Sequence, residues 1–361
     1  MSDNIRRYRS VRRGLKELYP FEPKGNRARH LNTLAAMISG IVASKSSNLP
    51  HIATKVADSR KPESRVKTFS RWLDNERIDY DAYYLPFVES LLLSLLQHPL
   101  ALVIDASAIG RNCMTLVVSV LYKNRALPIA WLTRRGKKGH HSEAMHLELI
   151  KCVKEIIPAQ ASVIFLGDGE FDGISLIKTI ESYDWNYVCR TAKNRHLQEG
   201  DETFSFQKVG VGQDTYFSMP RVGHADDPSY SFHAIVWWEQ PHEEPVYLMS
   251  NIDLACEAIY WYKKRYHIET FFSDKKSRGF NLHKSHISNP DRLNKLMIAT
   301  CLAYIWMVFL GVWAIKNRWH TVIHRNDRCD LSLFQLGIRM MEFRLNTCKR
   351  IPIGFQLNLF E

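Results

Sequence analysis

The sequence predicts an α/β fold: a sheet covered by helices, with a β-rich insertion and a helical N-terminal region. Two observations lead to this prediction. Between residues 99 and 194, apolar runs and amphipathic segments follow the order strand, strand, strand, helix, strand, helix, strand. Residues 195 to 253 contain β-like aromatic segments separated by glycine, aspartate and proline turns. At 361 residues, the chain is long enough for two or three structural units.

The charge balance indicates the kind of partner. Lys plus Arg outnumber Asp plus Glu by 49 to 37, a net charge of +12. Such an excess favours a polyanionic partner, nucleic acid first and an anionic membrane surface second, while a basic protein without such a partner stays open. The seven cysteines are scattered without a C-x-x-C pair. This argues against a disulfide framework and a cysteine-rich zinc site, and fits a reducing compartment.

Residues 1 to 98 are predicted to be helical and basic. Apolar periodicity predicts helices over 31–43, 48–59 and 65–75, and an apolar helix over 83–97 leads into the next region. The second and third helices flank a polar turn, and the third carries basic residues beside its apolar ones. This pattern favours a helix-turn-helix-like DNA reader, although any small amphipathic helix pair has the same pattern. The candidate DNA contacts are Arg65, Lys67 and Arg71.

The next region carries two aspartates at strand ends. Its predicted elements are strands over 101–105, 114–122 and 127–132, a helix over 143–157, a strand over 162–168, a helix over 173–183 and a strand over 185–191. This order is the ribonuclease H-like arrangement. The first and fourth strands end in Asp105 and Asp168. Because sites gather at strand ends in open α/β sheets, we expect these two carboxylates to lie close together.

The stretch YKKRYHIETFFSDKK, residues 262 to 276, is predicted to be one helix that follows the β-rich insertion. At about 100° per residue, Tyr262, Arg265, Glu269 and Lys276 fall within an arc of about 60°. One face would then carry a phenol, a guanidinium, a carboxylate and an ammonium. An exposed charged face with incidental i, i+4 pairs is the alternative. The two strand-end aspartates favour a functional face.

Asp105, Asp168 and Glu269 are the candidate catalytic and metal-binding residues. Three carboxylates that converge on one point repel one another and acquire raised pKa values unless a cation lies between them. Hard divalent cations such as Mg²⁺ bind carboxylate and water oxygens. Two such ions about 4 Å apart activate the attacking oxygen and stabilise the leaving one in phosphoryl transfer. We therefore expect two Mg²⁺ ions, for which Mn²⁺ can substitute.

The spacing Y-x2-R-x3-E-x6-K at Tyr262, Arg265, Glu269 and Lys276 resembles the signature of the insertion-sequence-4 family of bacterial DDE transposases. Aspartates in VIDAS and LGDGEFDG precede it, and the resemblance covers most of residues 20 to 340. It implies a ribonuclease H-like core with the three carboxylates as metal-binding triad, and an N-terminal region that binds terminal inverted repeats. It also implies phosphodiester hydrolysis at each element end and attack of the freed 3′-OH on target DNA. Several members pass through a hairpin at the excised end, helped by an aromatic side chain that holds a flipped base.

Two further acids, Glu170 and Asp172, follow Asp168 within GDGEFDG and could be mistaken for the metal ligand. Asp168 is preferred because it ends the apolar strand. Asp172 is instead expected to cap the next helix.

Other DNA contacts are predicted outside these motifs. Trp237 and Trp238 could stack on an unpaired base, with core packing as the alternative; strand alternation predicts that one of them faces inward. The basic loop over 134–141 offers Lys137 and Lys138 for contacts with the DNA backbone, and a solvated loop is nearly as well supported. Beyond the quoted helix, Lys284 is a candidate phosphate contact.

The segment from Leu296 to Ile315 is uncharged and about as long as a bilayer span. A helix buried on nearly all sides gives the same pattern. We favour burial, because a highly charged helix directly precedes the segment and no second span is visible. With no secretory signal visible either, we expect a cytoplasmic, nucleoid-associated bacterial protein without a membrane partner.

Together these patterns predict a metal-dependent DNA transposase that acts by cut and paste. We expect a homodimer on double-stranded DNA, because two element ends must be held together. The predicted domains are 1–98, the helical DNA-binding region; 99–194, the first part of the core; 195–253, the β-rich insertion; and 254–361, the catalytic helix and C-terminal helices. A ribonuclease H-like nuclease or resolvase without strand transfer, and a catalytically inactive DNA-binding derivative, stay open.

Overall fold

The computed structural model of the protein describes residues 1–19, 22–136, 141–275, 279–326 and 328–357. It is a mixed α/β structure built on one large sheet. The strands are β1 Leu100–Ala108, β2 Cys113–Tyr122, β3 Arg125–Arg135, β4 Val163–Gly167, β5 Asn186–Arg190, β6 His196–Glu199, β7 Glu202–Ser205, β8 Thr215–His224, β9 Asp227–Trp238 and β10 Val246–Ser250. In the described ranges they form a ten-stranded sheet of order β3-β2-β1-β4-β5-β10-β9-β8-β6-β7.

Helices cover this sheet and form both ends of the chain. They are α1 Asp3–Glu17, α2 Gly25–Ser44, α3 Leu49–Thr54, α4 Pro62–Asp74, α5 Tyr80–Tyr83, α6 Leu85–Leu93, α7 Glu143–Ile156, α8 Ile174–Glu181, α9 Ala255–Lys264, α10 His267–Lys275, α11 Pro290–Lys316, α12 His320–Ile323 and α13 Leu333–Asn346. Most of the helices begin after an extended residue, and several have a proline in their first turn, where its missing N–H costs no hydrogen bond.

The first five strands follow the predicted order. β1 and β2 pair antiparallel, as do β2 and β3, while β4 runs parallel to β1 and β5 runs parallel to β4. Their apolar side chains are buried, which explains why the runs lack strict alternation. The last registered pair between β1 and β4 is Val103 with Leu166. Asp105 and Asp168 each lie two residues beyond that pair, at the same edge of the sheet.

The β-rich segment that begins near residue 195 extends this sheet. β10 pairs antiparallel with β5, with Leu248 opposite Arg190, and β9, β8, β6 and β7 follow outward. The predicted strands are present. Their hydrogen bonds make the segment continuous with the core sheet, a pairing that the separate patterns of the two regions did not indicate.

The N-terminal helices pack against the rest of the protein. One hydrophobic core extends from Val11 in α1 to α11 and the C-terminal segment. Polar contacts add to it, since the Trp72 indole donates to the His30 carbonyl at 3.1 Å and Arg292 pairs with Asp74 at 3.2 Å. α4 is therefore anchored on both its apolar and part of its polar side.

The uncharged segment lies within α11 at the centre of the protein. This helix is long and apolar enough to cross a membrane by length and composition, yet 83% of its most apolar window is buried inside the protein. α13 crosses it so closely that a Cβ at Gly311 or Gly337 would overlap backbone carbonyl groups of the other helix. The burial supports the interpretation of this segment as a core helix.

The prediction of a single helix over 262–276 is wrong in one respect. The described part of this stretch belongs to two helices. α9 ends at Lys264 and α10 begins at His267. Between them the backbone makes tight i to i+3 hydrogen bonds, from the Arg265 amide to the Tyr262 carbonyl at 2.9 Å and from the Glu269 amide to the Tyr266 carbonyl at 3.0 Å. The arc of about 60° calculated for a continuous helix therefore does not describe this face.

Candidate active site at one edge of the sheet

Asp105, Asp168 and Glu269 form what we call the carboxylate edge. Asp105 is partly buried, and its Oδ1 accepts a hydrogen bond from the Ala106 amide at 2.7 Å. Asp168 Oδ1 accepts from the Glu170 amide at 3.0 Å, and its side chain is 34% exposed. Glu269 is exposed in the first turn of α10.

The three carboxylates act on one another electrostatically. Burial is the main cause that raises the pKa of Asp105 to about 6, and the negative charges of Asp168 and Glu269 raise it further. The Ala106 amide and the Arg265 guanidinium oppose this rise in the pKa of Asp105. The charges of Asp168 and Glu269 therefore disfavour ionisation of Asp105 beyond the effect of burial.

Arg265 lies in the turn between α9 and α10 and faces this edge. Its Nη1 is 3.9 Å from Asp168 Oδ2, and its guanidinium carbon is 5.8 Å from the centre of the Tyr262 ring. Tyr262 is buried, and burial raises the pKa of its phenol. The interrupted helix therefore still brings Tyr262, Arg265 and Glu269 toward the two strand-end aspartates.

The donor chemistry of the carboxylate edge suits a hard divalent cation, because all three side chains offer carboxylate oxygens. Among the described residues, no group of three or more His, Cys, Asp or Glu side chains is close enough to hold a metal ion. The three carboxylates thus share an electrostatic environment without forming a closed coordination set. Among the described residues, the cation that lies within 4 Å of Asp168 is the Arg265 guanidinium.

The two competing acids have other partners. Asp172 is 8% exposed, and its Oδ2 accepts hydrogen bonds from Thr191 Oγ1 at 2.6 Å and from Arg195. The expectation that Asp172 caps α8 is wrong, because the first-turn amide of Leu176 donates to Glu143 Oε1 at 3.1 Å instead. The cap comes from another helix because burial turns Asp172 toward Arg195.

Glu170 also points away from the edge. Its Oε1 accepts a hydrogen bond from the His141 amide at 2.6 Å and lies 3.6 Å from His146 Nε2. These contacts fix the loop after β4. They leave Asp168 as the carboxylate of this loop that faces Arg265.

Arg190 belongs to the same edge and was not singled out from the sequence. The last registered pair between β4 and β5 is Gly167 with Cys189, so Asp168 and Arg190 each lie one residue beyond it. Arg190 is exposed, and its charge lowers the pKa of Tyr262. The signal was present in WNYVCRT, where a cation ends the next parallel strand.

The predicted DNA contacts of α4 separate into two groups. Arg65 turns inward, with its side chain 11% exposed: its Nε donates to Asp58 Oδ1 at 2.7 Å and its Nη1 to the Ala53 carbonyl at 2.9 Å. Lys67 and Arg71 are exposed on the outer side of the same helix. Arg65 therefore holds the turn between α3 and α4, while its contact with DNA stays a prediction.

The other predicted contacts also differ in exposure. Trp237 is 7% exposed, with the Lys263 ammonium 4.9 Å from its ring centre. Trp238 is half-buried and donates to the His242 carbonyl at 2.9 Å. Lys284 is exposed in a short 3₁₀ turn. The remaining three, Lys137, Lys138 and Lys276, lie outside the described residues.

Comparisons with known proteins identify the family of the chain. A family model described as "Transposase DDE domain" matches residues 99–306, more than half of the chain. One solved structure to which the chain is similar is a cryo-EM structure of a piggyBac transposase synaptic complex with hairpin DNA. It is 11% identical, with 94% of this chain and 79% of that chain covered and a TM-score of 0.46. No curated protein matches the sequence.

Proposed function

Because the chain belongs to the transposase DDE domain family, we propose that it moves a bacterial insertion sequence by cut and paste. It hydrolyses a phosphodiester at each element end and transfers the freed 3′-OH into target DNA. The observation that carries the proposal is the register of β1, β4 and β5, which supports a shared edge for Asp105, Asp168 and Arg190. The spacing from Tyr262 to Lys276 supports assignment to the insertion-sequence-4 family.

The strand order supports a ribonuclease H-like core. β3, β2, β1, β4 and β5 are neighbours in that order, with the first three antiparallel and the last two parallel to β1. The proposed division is a DNA-binding region over 1–98, core segments over 99–194 and 254–361, and an insertion over 195–253. The insertion adds strands to the open side of β5.

Asp105, Asp168 and Glu269 are the proposed catalytic residues and would hold two Mg²⁺ ions, or Mn²⁺ in their place. Bound divalent ions activate the attacking oxygen and stabilise the leaving oxygen in phosphoryl transfer. The raised pKa of Asp105, which burial causes first and the charges of Asp168 and Glu269 increase, supports this assignment, since a bound cation would favour the ionised form of this carboxyl. Arg265 is placed to exchange its contact with Asp168 for bidentate contact with a phosphate.

The remaining contacts would position the DNA. Tyr262, Lys276 and Lys284 are proposed to contact phosphates near the carboxylate edge, and exposed Lys67 and Arg71 to contact the backbone at the N-terminal helices. Lys137 and Lys138 are proposed backbone contacts, and half-buried Trp238 is a better stacking candidate than buried Trp237. The active form is proposed to be a homodimer on double-stranded DNA, near the bacterial nucleoid.

A cleavage and joining assay tests the proposal. The protein is incubated with Mg²⁺ and the DNA that flanks its own gene, and cleavage ends are mapped on both strands. A second reaction supplies a pre-cleaved end and target DNA. Cleavage and joined product support transposition; cleavage without joining would identify a nuclease or resolvase. Binding without either, unchanged in Asp105→Ala, would identify an inactive DNA-binding derivative.

A further inference from the structure

A polar cavity of about 570 Å³ lies between the N-terminal turns of α1, the end of α3 and the end of α13. Arg7 lines it and is 8% exposed. The neutral polar side chains of Asn4, Thr54 and Asn346 line it as well, together with Lys55. None of these residues belongs to the carboxylate edge.

The Arg7 guanidinium is under-partnered. Its Nη2 donates to Asn4 Oδ1, while its Nε is buried with no hydrogen-bond acceptor, and no ion pair of Arg7 occurs within the described part of the chain. Burial lowers the pKa of Arg7, an effect that the charge of Asp3 only partly opposes. Isolated buried charges are strongly unfavourable unless something of opposite charge completes them.

The acids of this cavity already have partners. Asp3 pairs with Arg6 at 3.3 Å, and Glu342 pairs with Lys45 at 3.0 Å. Arg7 and Lys55 therefore supply positive charge in excess of the acids around them. Neutral donors beside a guanidinium fork form a setting that suits a tetrahedral oxyanion.

We propose that this cavity is an anion site that binds a phosphate group, with Arg7 as its principal ligand and Lys55 at its rim. The phosphate has two sources with the same chemistry, the backbone of DNA or free phosphate. The site is independent of the proposed catalytic function, because it uses none of the residues of the carboxylate edge.

Thermal unfolding of the DNA-free protein tests the site, with inorganic phosphate as the probe at constant ionic strength. Wild type is expected to gain about 1–3 °C in Tm at 10 mM phosphate. Arg7→Met should lose this gain, and Arg7→Lys should keep only part of it, because it retains the charge without the fork. Arg9→Met, an exposed position on the same helix, is the matched control and should respond like wild type.

An equal Tm gain in Arg7→Met and wild type, or no gain in wild type, overturns the proposal. If Arg7→Met does not fold, Lys55→Ala replaces it in the thermal unfolding assay and should lose part of the phosphate-dependent gain in Tm. The ³¹P linewidth of phosphate is then measured with and without wild-type protein. A wild-type linewidth that does not change on adding protein overturns the site in that case.

DNA binding with and without 10 mM phosphate at constant ionic strength identifies the source. If phosphate weakens DNA binding by wild type but not by Arg7→Met, the site holds a backbone phosphate. If neither protein is affected while the thermal gain persists, it holds free phosphate. The two proposals fail in different experiments. The phosphate site is contradicted by thermal unfolding of the DNA-free protein, and the proposed function is contradicted by the cleavage and joining assay.

Discussion

Asp168 and Asp172 are four positions apart in one loop, yet their surroundings are opposite. Asp172 is buried and accepts hydrogen bonds from Thr191 and Arg195, whose Nη1 continues to His224 Nε2 at 2.8 Å. We call these four residues the Asp172 cluster. Asp168 is 34% exposed, and its closest cation, Arg265, is 3.9 Å away. The Asp172 carboxylate has hydrogen-bond partners within the fold, whereas the Asp168 carboxylate faces those of Asp105 and Glu269.

This difference separates an acid that holds the fold together from acids whose proposed role is catalytic. A buried carboxylate with a guanidinium partner links parts of the fold, here the loop after β4 and the strands of the insertion. At the carboxylate edge the negative charges of Asp168 and Glu269 add to the rise in the pKa of Asp105, and repulsion of this kind destabilises the free protein unless a ligand or a reaction uses it. The comparison therefore predicts that the two groups respond oppositely to substitution.

The largest expected effect is on catalysis at the carboxylate edge. Asp168→Asn should lower the rate of DNA cleavage by roughly 10³-fold or more, because it removes a proposed metal ligand while keeping the side-chain volume. Its Tm and its DNA affinity should stay near wild type. The rate is measured on a labelled element end under single-turnover conditions. A variant that cleaves at the wild-type rate would remove Asp168 from the active site.

The second effect is on stability in the Asp172 cluster. Asp172→Ala should lower the free energy of unfolding by about 3 kcal/mol, because it leaves Arg195 as an unpaired, mostly buried charge. Arg195→Met should also destabilise, and the double variant should cost less than the sum of the two. Urea unfolding of all four proteins measures this coupling. Strict additivity would mean that the pair does not interact.

The third effect concerns pH and Asp105. The pKa of this carboxyl is raised to about 6 in the folded protein, above its ordinary value near 3.8. The folded state therefore binds the proton more tightly than the unfolded state, and stability falls as pH rises from about 4 through 6. Without divalent cations, Asp105→Asn should be more stable than wild type by about 2 kcal/mol at pH 8, and similar at pH 4.

Urea unfolding across this pH range measures the difference for Asp105. Asp172→Asn is the matched control and should lose stability at pH 8, since it removes the ion pair with Arg195. Equal stability of wild type and Asp105→Asn at both pH values would contradict the raised pKa of Asp105.

The smallest expected effects concern two cations of α4, one bonded within the fold and one exposed. Arg65→Ala should lower stability by about 1 kcal/mol, because it removes bonds to Asp58 and the Ala53 carbonyl. Lys67→Ala should leave stability unchanged and reduce the slope of log affinity against log salt by about 1. DNA titrations at several salt concentrations check this. A salt slope that changes in Arg65→Ala but not in Lys67→Ala would reverse the assignment.

Patterns along the chain were enough to predict the strands and both strand-end aspartates. Apolar runs followed by an acid place Asp168 directly after β4 and Asp105 in the second half of β1, which continues to Ala108 and not, as predicted, to residue 105. The parallel register then brings the two carboxylates to one edge. The helix break at Arg265 could not be predicted in this way. Residues 262–276 have a helical pattern throughout, and the turn coincides with a contact between Arg265 and Asp168, which is distant in sequence.

Long-range partners explain the other differences. Asp172 follows a strand and precedes a helix, which is a capping position, yet Arg195 lies 23 positions further along and holds it. Arg65 sits among exposed cations in a helix, and only the fold of the α3–α4 turn brings Asp58 to it. In both cases the local sequence predicts the kinds of contact that a side chain can make. The residue that it contacts is set by the tertiary fold.

The continuous sheet also determines the order in which the chain can fold during synthesis. Val246 follows Arg190 by 56 positions (246 − 190), and β10 supplies the hydrogen bonds for the second side of β5. Until β10 emerges from the ribosome, the nascent chain presents β5 as an unpaired apolar edge, the kind of edge that recruits other strands and aggregates. Slow translation between these two strands would therefore lower the yield of folded protein.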